Sequence, residues 1–253
     1  MKVGVSGASG QMGSLSAKTI ADADDMHLIA LYDPHTAGSI AGVSVSQEAE
    51  SLDGCDVILE FSRPGSVMEH LELWREFGAN VVVGTSGFDA ERLAALETLW
   101  GNGPGNCLVV PNFSIGAVLM MRMAALAAPH FPVAEVIEMH HDRKIDAPSG
   151  TAIATAARIA EAGPPQQRAV TSEESYKGSL GADVDGVSVH SVRLPGLLAH
   201  QTVMFGSEGE TLSIRHDTMD RAAFMPGVLL AVQSVSSQRD PLAVGLESLL
   251  GIE

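Results

Sequence analysis

Short apolar runs alternate with amphipathic stretches through the first part of the chain. Lys2 to Ser6, His27 to Leu31, Asp56 to Phe61, Asn80 to Gly84 and Asn106 to Val110 read as buried strands. Between them, helical periodicity covers the stretch up to about Ala23, with Leu15 and Ile20 inward, then Pro64 to Phe77 and about Ala90 to Trp100. Strands and helices in this alternation predict an α/β fold, a doubly wound parallel sheet with helices on both faces.

After Ser114 the texture changes. Ile115 to Ala128 is nearly all apolar, and its Met120, Met121 and Met123 read as core or interface packing. Val133 to Ile137 reads as a buried strand. An alanine-rich helix begins near Pro148 and ends near Ala162, stopped by Gly163-Pro164-Pro165. Gln166 to Gly186 is polar and glycine-rich, a loop or lid long enough to suggest function. Val187 to Leu194, His200 to Phe205 and Glu210 to His216 alternate apolar and polar, the last two as a hairpin across Gly206 to Gly209. With Val133 to His140 they make a mixed or antiparallel four-stranded sheet with a helix on one face, an α+β arrangement. An open face or edge of that sheet needs a cover, which another subunit would supply. Phe224 to Ser237 is an amphipathic helix, and the apolar tail Leu242 to Leu250 is expected to return to the first domain. The expected division is 1–114, 115–223 and a returning 224–253.

Charge narrows the partners. The formal net charge is −16. Nucleic acid and anionic membranes demand a basic face, so neither is expected as a partner. Any anionic substrate must be drawn in by a local basic cluster. Cys55 and Cys107 both sit in or beside apolar runs and read as buried thiols, with no metal-ligand spacing. The chain starts on a strand and has no apolar run long enough to span a bilayer, so a reducing cytoplasm is expected.

The first strand runs straight into Gly7-Ala8-Ser9-Gly10-Gln11-Met12-Gly13 and then a helix. That context is the one a dinucleotide fingerprint needs: glycines for a tight turn, and a helix start to receive a pyrophosphate. Ser9 stands where the usual pattern has its middle glycine. Asp33 follows the last glycine by about 20 residues, the place of a carboxylate for a ribose diol; the plainer reading is a turn aspartate before Pro34. No lysine or arginine lies close behind it, so NADH is favoured over NADPH. Ligands bind beyond the carboxyl ends of such strands. Phe61, Ser62 and Arg63, then Gly84, Thr85 and Ser86, then Pro111, Asn112 and Phe113 are therefore candidate cofactor residues, while Gly87 reads as ordinary turn chemistry.

The densest chemistry lies in Glu138-Met139-His140-His141-Asp142-Arg143-Lys144-Ile145-Asp146-Ala147-Pro148-Ser149-Gly150-Thr151-Ala152. Two histidines and a lysine follow a strand end, and a helix start comes next. The first N–H groups of a helix lack internal acceptors and carry partial positive charge, so they suit an anion. Gly150 allows close approach and Thr151 adds a hydroxyl. Each feature alone has a plain structural reading, as surface decoration or a cap. Together they point to a pocket for a small carboxylate substrate, since titratable groups cluster at active sites. Arg193 and Arg63 could meet a carboxylate, but surface salt bridging is the favoured reading. His190, His200 and His216 lie on the predicted sheet, where packing or hydrogen bonding is expected.

The same stretch resembles the signature of the 4-hydroxy-tetrahydrodipicolinate (dihydrodipicolinate) reductase family. The glycine loop, Gly84-Thr85-Ser86-Gly87-Phe88, Pro111-Asn112-Phe113-Ser114 and His200 with Phe205 are similar to that family's other landmarks, in the same order. The resemblance spans essentially the whole chain. It implies a Rossmann domain at both chain ends, a substrate domain between them that assembles a homotetramer, and NAD(P)H-dependent reduction in lysine and diaminopimelate synthesis. It implies His140 as acid/base residue and Lys144 as proton donor, with His141, Gly150 and Thr151 binding substrate. Its implied cofactor residues are Gly7, Ala8, Ser9, Gly10, Gln11, Met12, Asp33, Phe61, Gly84, Thr85, Ser86, Val110, Pro111, Asn112 and Phe113, with no metal. Two departures stand out. Glu60-Phe61-Ser62 replaces the common Asp-Phe-Thr, and Ser9 and Gln11 are uncharged where several members carry lysine or arginine. Two rivals are an aspartate dehydrogenase on the same plan and a regulator that senses dinucleotide without turnover. The first leaves Lys144 to Thr151 unexplained, and the second would lack His140 or Lys144.

Overall fold

The computed structural model describes residues 1–101, 103–163 and 173–252. The strands and helices are, in chain order, β1 (Lys2–Ser6), α1 (Gln11–Ala21), β2 (His27–Tyr32), β3 (Gly38–Ile40), β4 (Val43–Ser46), β5 (Val57–Glu60), α2 (Val67–Glu76), β6 (Asn80–Val83), α3 (Ala90–Trp100) and β7 (Cys107–Val109). Then follow α4 (Ile115–Ala127), β8 (Val133–His140), α5 (Gly150–Ala162), β9 (Ala182–Val184), β10 (Val187–Arg193), β11 (Ala199–Ser207), β12 (Glu210–Thr218), α6 (Met225–Ser234), β13 (Leu242–Val244) and α7 (Glu247–Leu250). The contacts divide them into two compact units, Met1–Ile115 with Phe224–Glu253, and Gly116–Ala223.

The first unit is built on an eight-stranded sheet in the order β13-β7-β6-β5-β1-β2-β4-β3. Every pairing is parallel except β3 with β4. Both faces are covered, which is why the strands are nearly continuous Val, Ile and Leu. Val3, Val5, Val57, Leu59 and Val82 pack with Ala17 and Ile20 of α1 and Val228, Ala231 and Val232 of α6. Ile58, Val81 and Val83 pack on the other side with Leu71 and Trp74 of α2 and Leu96 and Trp100 of α3. The chain runs from β1 to β2 on one side and returns to β5 on the other. That reversal opens a crevice at the end of β1, where the glycine loop sits. The sheet ends in a hairpin that the periodicity did not reveal. Ala41 and Gly42, with φ of 50° and 82°, turn the chain between β3 and β4.

The second unit holds a five-stranded mixed sheet, order β12-β11-β8-β10-β9, rather than the four strands expected. The fifth is β9, inside the stretch read as loop. Asp185 and Gly186, with φ of 52° and 87°, make the two-residue turn that pairs it antiparallel to β10. Asp-Gly between strands is a hairpin signal, but a short polar strand carries no periodicity to draw the eye. The part of the expected loop at 166–172 lies outside the described residues. β10 runs parallel to β8, and β11 antiparallel to it. α5 covers one face: Ala152, Ala156 and Ile159 pack on Val136, Val189 and Val203. Met120 and Met121 of α4 are buried, while Met123 is 50% exposed.

Candidate active site

In the first unit, glycine is required where backbone meets backbone. Gly7 has φ +69°, and a Cβ there would strike the Phe61 carbonyl. A Cβ on Gly13 would strike the Gly7 carbonyl, so the glycine is what lets α1 pack on the loop. Gly10 caps α1 with no side-chain acceptor, and Ser9, Gly10 and Gln11 are exposed. The helix start is thus open to an anion. Asp33 accepts from Ser9 N at 3.2 Å and from His35 N at 3.0 Å. Its carboxylate therefore serves the turn and also touches the glycine loop. Gly84 lies against Phe61 and Phe113, whose ring atoms a Cβ would strike. Thr85 turns inward and donates to the Ser62 carbonyl at 3.0 Å, leaving Ser86 and Pro111 exposed beside it. Val110 N donates to Val83 O, and Asn112 Oδ1 accepts from Ser114 N. The strand-end residues thus gather at one rim of the sheet, with close-fitting glycines that a dinucleotide needs for backbone approach.

Beneath that rim Glu60 is fully buried. It accepts from Trp74 Nε1 at 2.7 Å and from Ser62 N at 2.6 Å, and His70 Nδ1 lies 3.4 Å away. Burial raises its carboxyl, but hydrogen bonds from His70, Ser62 and Trp74 outweigh that and leave it below the ordinary range.

In the second unit, β8 ends at His140 and α5 begins at Gly150. Ser149 caps α5, its hydroxyl accepting from Ala152 N at 3.2 Å. A Cβ on Gly150 would meet nothing within 4 Å, so approach to the first turn is open. Glu138, fully buried, accepts two bonds of 2.9 Å from the Arg193 fork, one of 3.2 Å from Ser149 N, and contacts His140 Nδ1 at 2.5 Å. Arg193 Nη2 also donates to the Asp146 carbonyl at 2.6 Å, tying down the segment that carries Lys144. Lys144 Nζ pairs with Asp146 at 2.7 Å on a partly exposed face. His141 Nδ1 is buried, with no partner among the described residues.

Burial alone would raise the Glu138 carboxyl. Hydrogen bonds from Arg193, Ser191 and His140 outweigh it and hold the group below the usual carboxylate range. Burial pushes the His140 imidazole down; Glu138 pulls it back, Lys144 and Arg193 push it further, and the result is below the ordinary histidine value. Asp146, despite its own desolvation, is held low by Lys144. The site can therefore bind an anion at a helix start and present a histidine that readily gives up its proton. Among the described residues, no cluster could hold a metal ion and no helix is long and apolar enough to cross a membrane.

Models of the dihydrodipicolinate reductase N-terminal and C-terminal parts match residues 1–113 and 116–250. The chain belongs to the dihydrodipicolinate reductase family. A 4-hydroxy-tetrahydrodipicolinate reductase from Thermobifida fusca is 49% identical, over the full length of both chains. A solved dihydrodipicolinate reductase from Paenisporosarcina sp. TG-14, described as dipicolinate-bound, is 40% identical with a TM-score of 0.87 and covers 98% of each chain. Aspartate dehydrogenase from Thermotoga maritima, 15% identical with a TM-score of 0.55 over 95% of this chain and 98% of its own, shares the fold alone.

Arg193 plays a larger part in this reductase-family site than its local sequence suggests. Arg193 was expected to make a surface salt bridge; instead its guanidinium grips a carboxylate with no solvent exposure. The signal was present in the alternation of β10. Val187 and Val189 point into the core at 0% and 2% exposure, and Arg193 lies on the same face of the strand, past the exposed Ser191. The other histidines have structural surroundings: His190 meets Glu135 at 3.0 Å, His200 meets Asp217 at 2.7 Å, and His216 lies against Gly116. Both cysteines are free and buried, with burial pushing the Cys55 thiol up to about 11 and Cys107 higher.

Proposed function

We propose that the protein reduces (2S,4S)-4-hydroxy-2,3,4,5-tetrahydrodipicolinate to 2,3,4,5-tetrahydrodipicolinate, with loss of water, using NAD(P)H in lysine and diaminopimelate synthesis. The observation that carries this reading is the open start of α5 beside a partly buried, carboxylate-bonded histidine and a lysine. The substrate is a cyclic dicarboxylate, and the dipicolinate carried by the Paenisporosarcina relative is a planar dicarboxylate of similar outline.

The residues divide the work as follows. Gly150 and Thr151 receive one carboxylate at the helix start. His141 contributes a ring nitrogen to substrate binding, and Lys144 supplies positive charge. The reduced nicotinamide supplies hydride. His140 holds the proton that the substrate takes up; an arriving dianion raises its proton affinity, so the proton is recruited on binding. Lys144 donates a proton or steadies developing negative charge.

Residues 1–114 with 224–253 are the dinucleotide-binding domain in this reading, and 115–223 bind substrate; the compact units divide one residue later, after Ile115. Gly7 to Met12 cradle the pyrophosphate, Asp33 takes the ribose diol, and Phe61, Gly84 to Ser86 and Val110 to Phe113 line the nicotinamide end. Ser9 and Gln11 offer no charge to a 2′-phosphate, which supports NADH as the preferred cofactor. The sheet face away from α5 carries Val192 and Met204, 38% and 39% exposed, and we assign it to assembly of a homotetramer. The site of action is the cytoplasm.

The test is a coupled assay. A synthase makes the cyclic substrate from pyruvate and aspartate semialdehyde, and reduced-nicotinamide absorbance is followed with NADH and NADPH in parallel. Substrate-dependent loss, faster with NADH, is expected. No loss with either cofactor, from protein that binds NADH, would overturn the reading.

A further inference from the structure

We infer that Glu138 is a positioning residue: clamped by Arg193 and Ser149, it fixes the ring orientation and tautomer of His140 and locks that ring to the helix start that takes the substrate carboxylate. The kinetic part of this rests on the reductase reading; the structural part does not.

The partners of the carboxylate decide the matter. Arg193 Nη1 and Nη2 and Ser149 N can only donate, and they reach both oxygens. No solvent reaches Glu138 to compete. An ionised carboxylate only accepts, so the neutral His140 ring must carry its hydrogen on Nδ1 and donate it to Glu138. Nε2 is then the nitrogen left to exchange a proton with substrate. The same carboxylate spans two elements. His140 closes β8, Ser149 opens α5, and Oε2 and Oε1 of Glu138 bond one each. Arg193, the strand neighbour of His140 on β10, completes the frame and reaches on to Asp146. The charged groups around the ring are therefore Glu138 on its own strand, Arg193 on β10, and Lys144 with its partner Asp146 in the following segment.

This frame predicts what Glu138→Gln does. An amide has one acceptor and one donor. Ser149 N and Arg193 Nη2 both donate to Oε1, so the amide keeps its oxygen there. Its NH2 end takes the place of Oε2, giving up the bond from Arg193 Nη1 and driving the hydrogen of His140 to Nε2. The imidazolium also loses its counter-charge.

The experiment compares wild type with Glu138→Gln and, because that change leaves Arg193 without its charge partner, with Glu138→Gln combined with Arg193→Met. Isotope-labelled histidine spectra are recorded where imidazoles are neutral, with His140 assigned by its loss in His140→Gln. Wild-type His140 is expected as the Nδ1–H tautomer, changing in the folded variant. In the coupled assay, kcat falls about 100-fold and its high-pH limb moves to lower pH, while NADH affinity is unchanged. Dipicolinate titration checks the anion site. A wild-type Nε2–H tautomer, or a folded variant with the same tautomer, kcat and pH profile, overturns the inference. Wild-type protein without activity would remove the reductase reading, yet the tautomer result would still decide the role of Glu138.

Discussion

The rings of Phe61 and Phe113 lie 5.6 Å apart, tilted by 59°, and both border Gly84. Two strand ends far apart in sequence thus meet over a residue with no side chain. Gly84→Ala places a methyl against both rings. It should destabilise the protein by about 1–3 kcal/mol and raise the NADH dissociation constant. Dipicolinate binding should be unchanged. Fluorescence titrations with each ligand, beside thermal unfolding, check this.

Glu60 and Trp74 make a second test. Glu60→Ala leaves the buried indole N–H and the Ser62 N–H without their acceptor. A loss of about 2–4 kcal/mol is expected. Tryptophan emission should move as Trp74 loses its partner. An unchanged midpoint and spectrum would mean that water replaces the carboxylate at no cost.

His140→Ala and Lys144→Ala should each lower kcat by about 100-fold or more while circular dichroism and NADH affinity stay as in wild type. Full activity in either folded variant would remove that residue from the mechanism.

Stability should respond to pH in two stages. Burial lowers the proton affinity of His140 and His216, against the pull of Glu138 and Asp217. Both fold with depressed values, so unfolding takes up protons once pH drops below the unfolded histidine value of about 6.5. Their contribution is fully present above that pH and is lost as pH falls through the folded values. Glu60 and Glu138 are also depressed, so a second decline begins below about pH 4.3, the unfolded glutamate value. Scanning calorimetry across pH measures both stages. His216→Gln should weaken the first and leave the second.

The glycine loop was legible because its requirements are local. Gly7 and Gly13 answer to neighbours a few residues away, apart from the Phe61 carbonyl. The chemistry between Glu138 and Thr151 was legible for the same reason, since a strand end and a helix start are adjacent in the chain. The hairpin at Asp185-Gly186 carried its signal in two residues but was lost in a polar stretch. The outlying strands β3 and β9 are too short to show a period.

What the sequence alone determined is therefore the alternation of the longer strands and helices, the two helix starts that follow β1 and β8, and the identity of the histidines and lysine beside one of them. These follow from side-chain period and backbone propensity, which act over a few residues. The fold alone decided which distant groups meet: Arg193 with Glu138 across 55 positions, β13 beside β7, and Phe61 with Phe113 around Gly84. Strand register and burial set those encounters. A buried carboxylate must find donors wherever the sheet brings them, and no local pattern records which strand that will be.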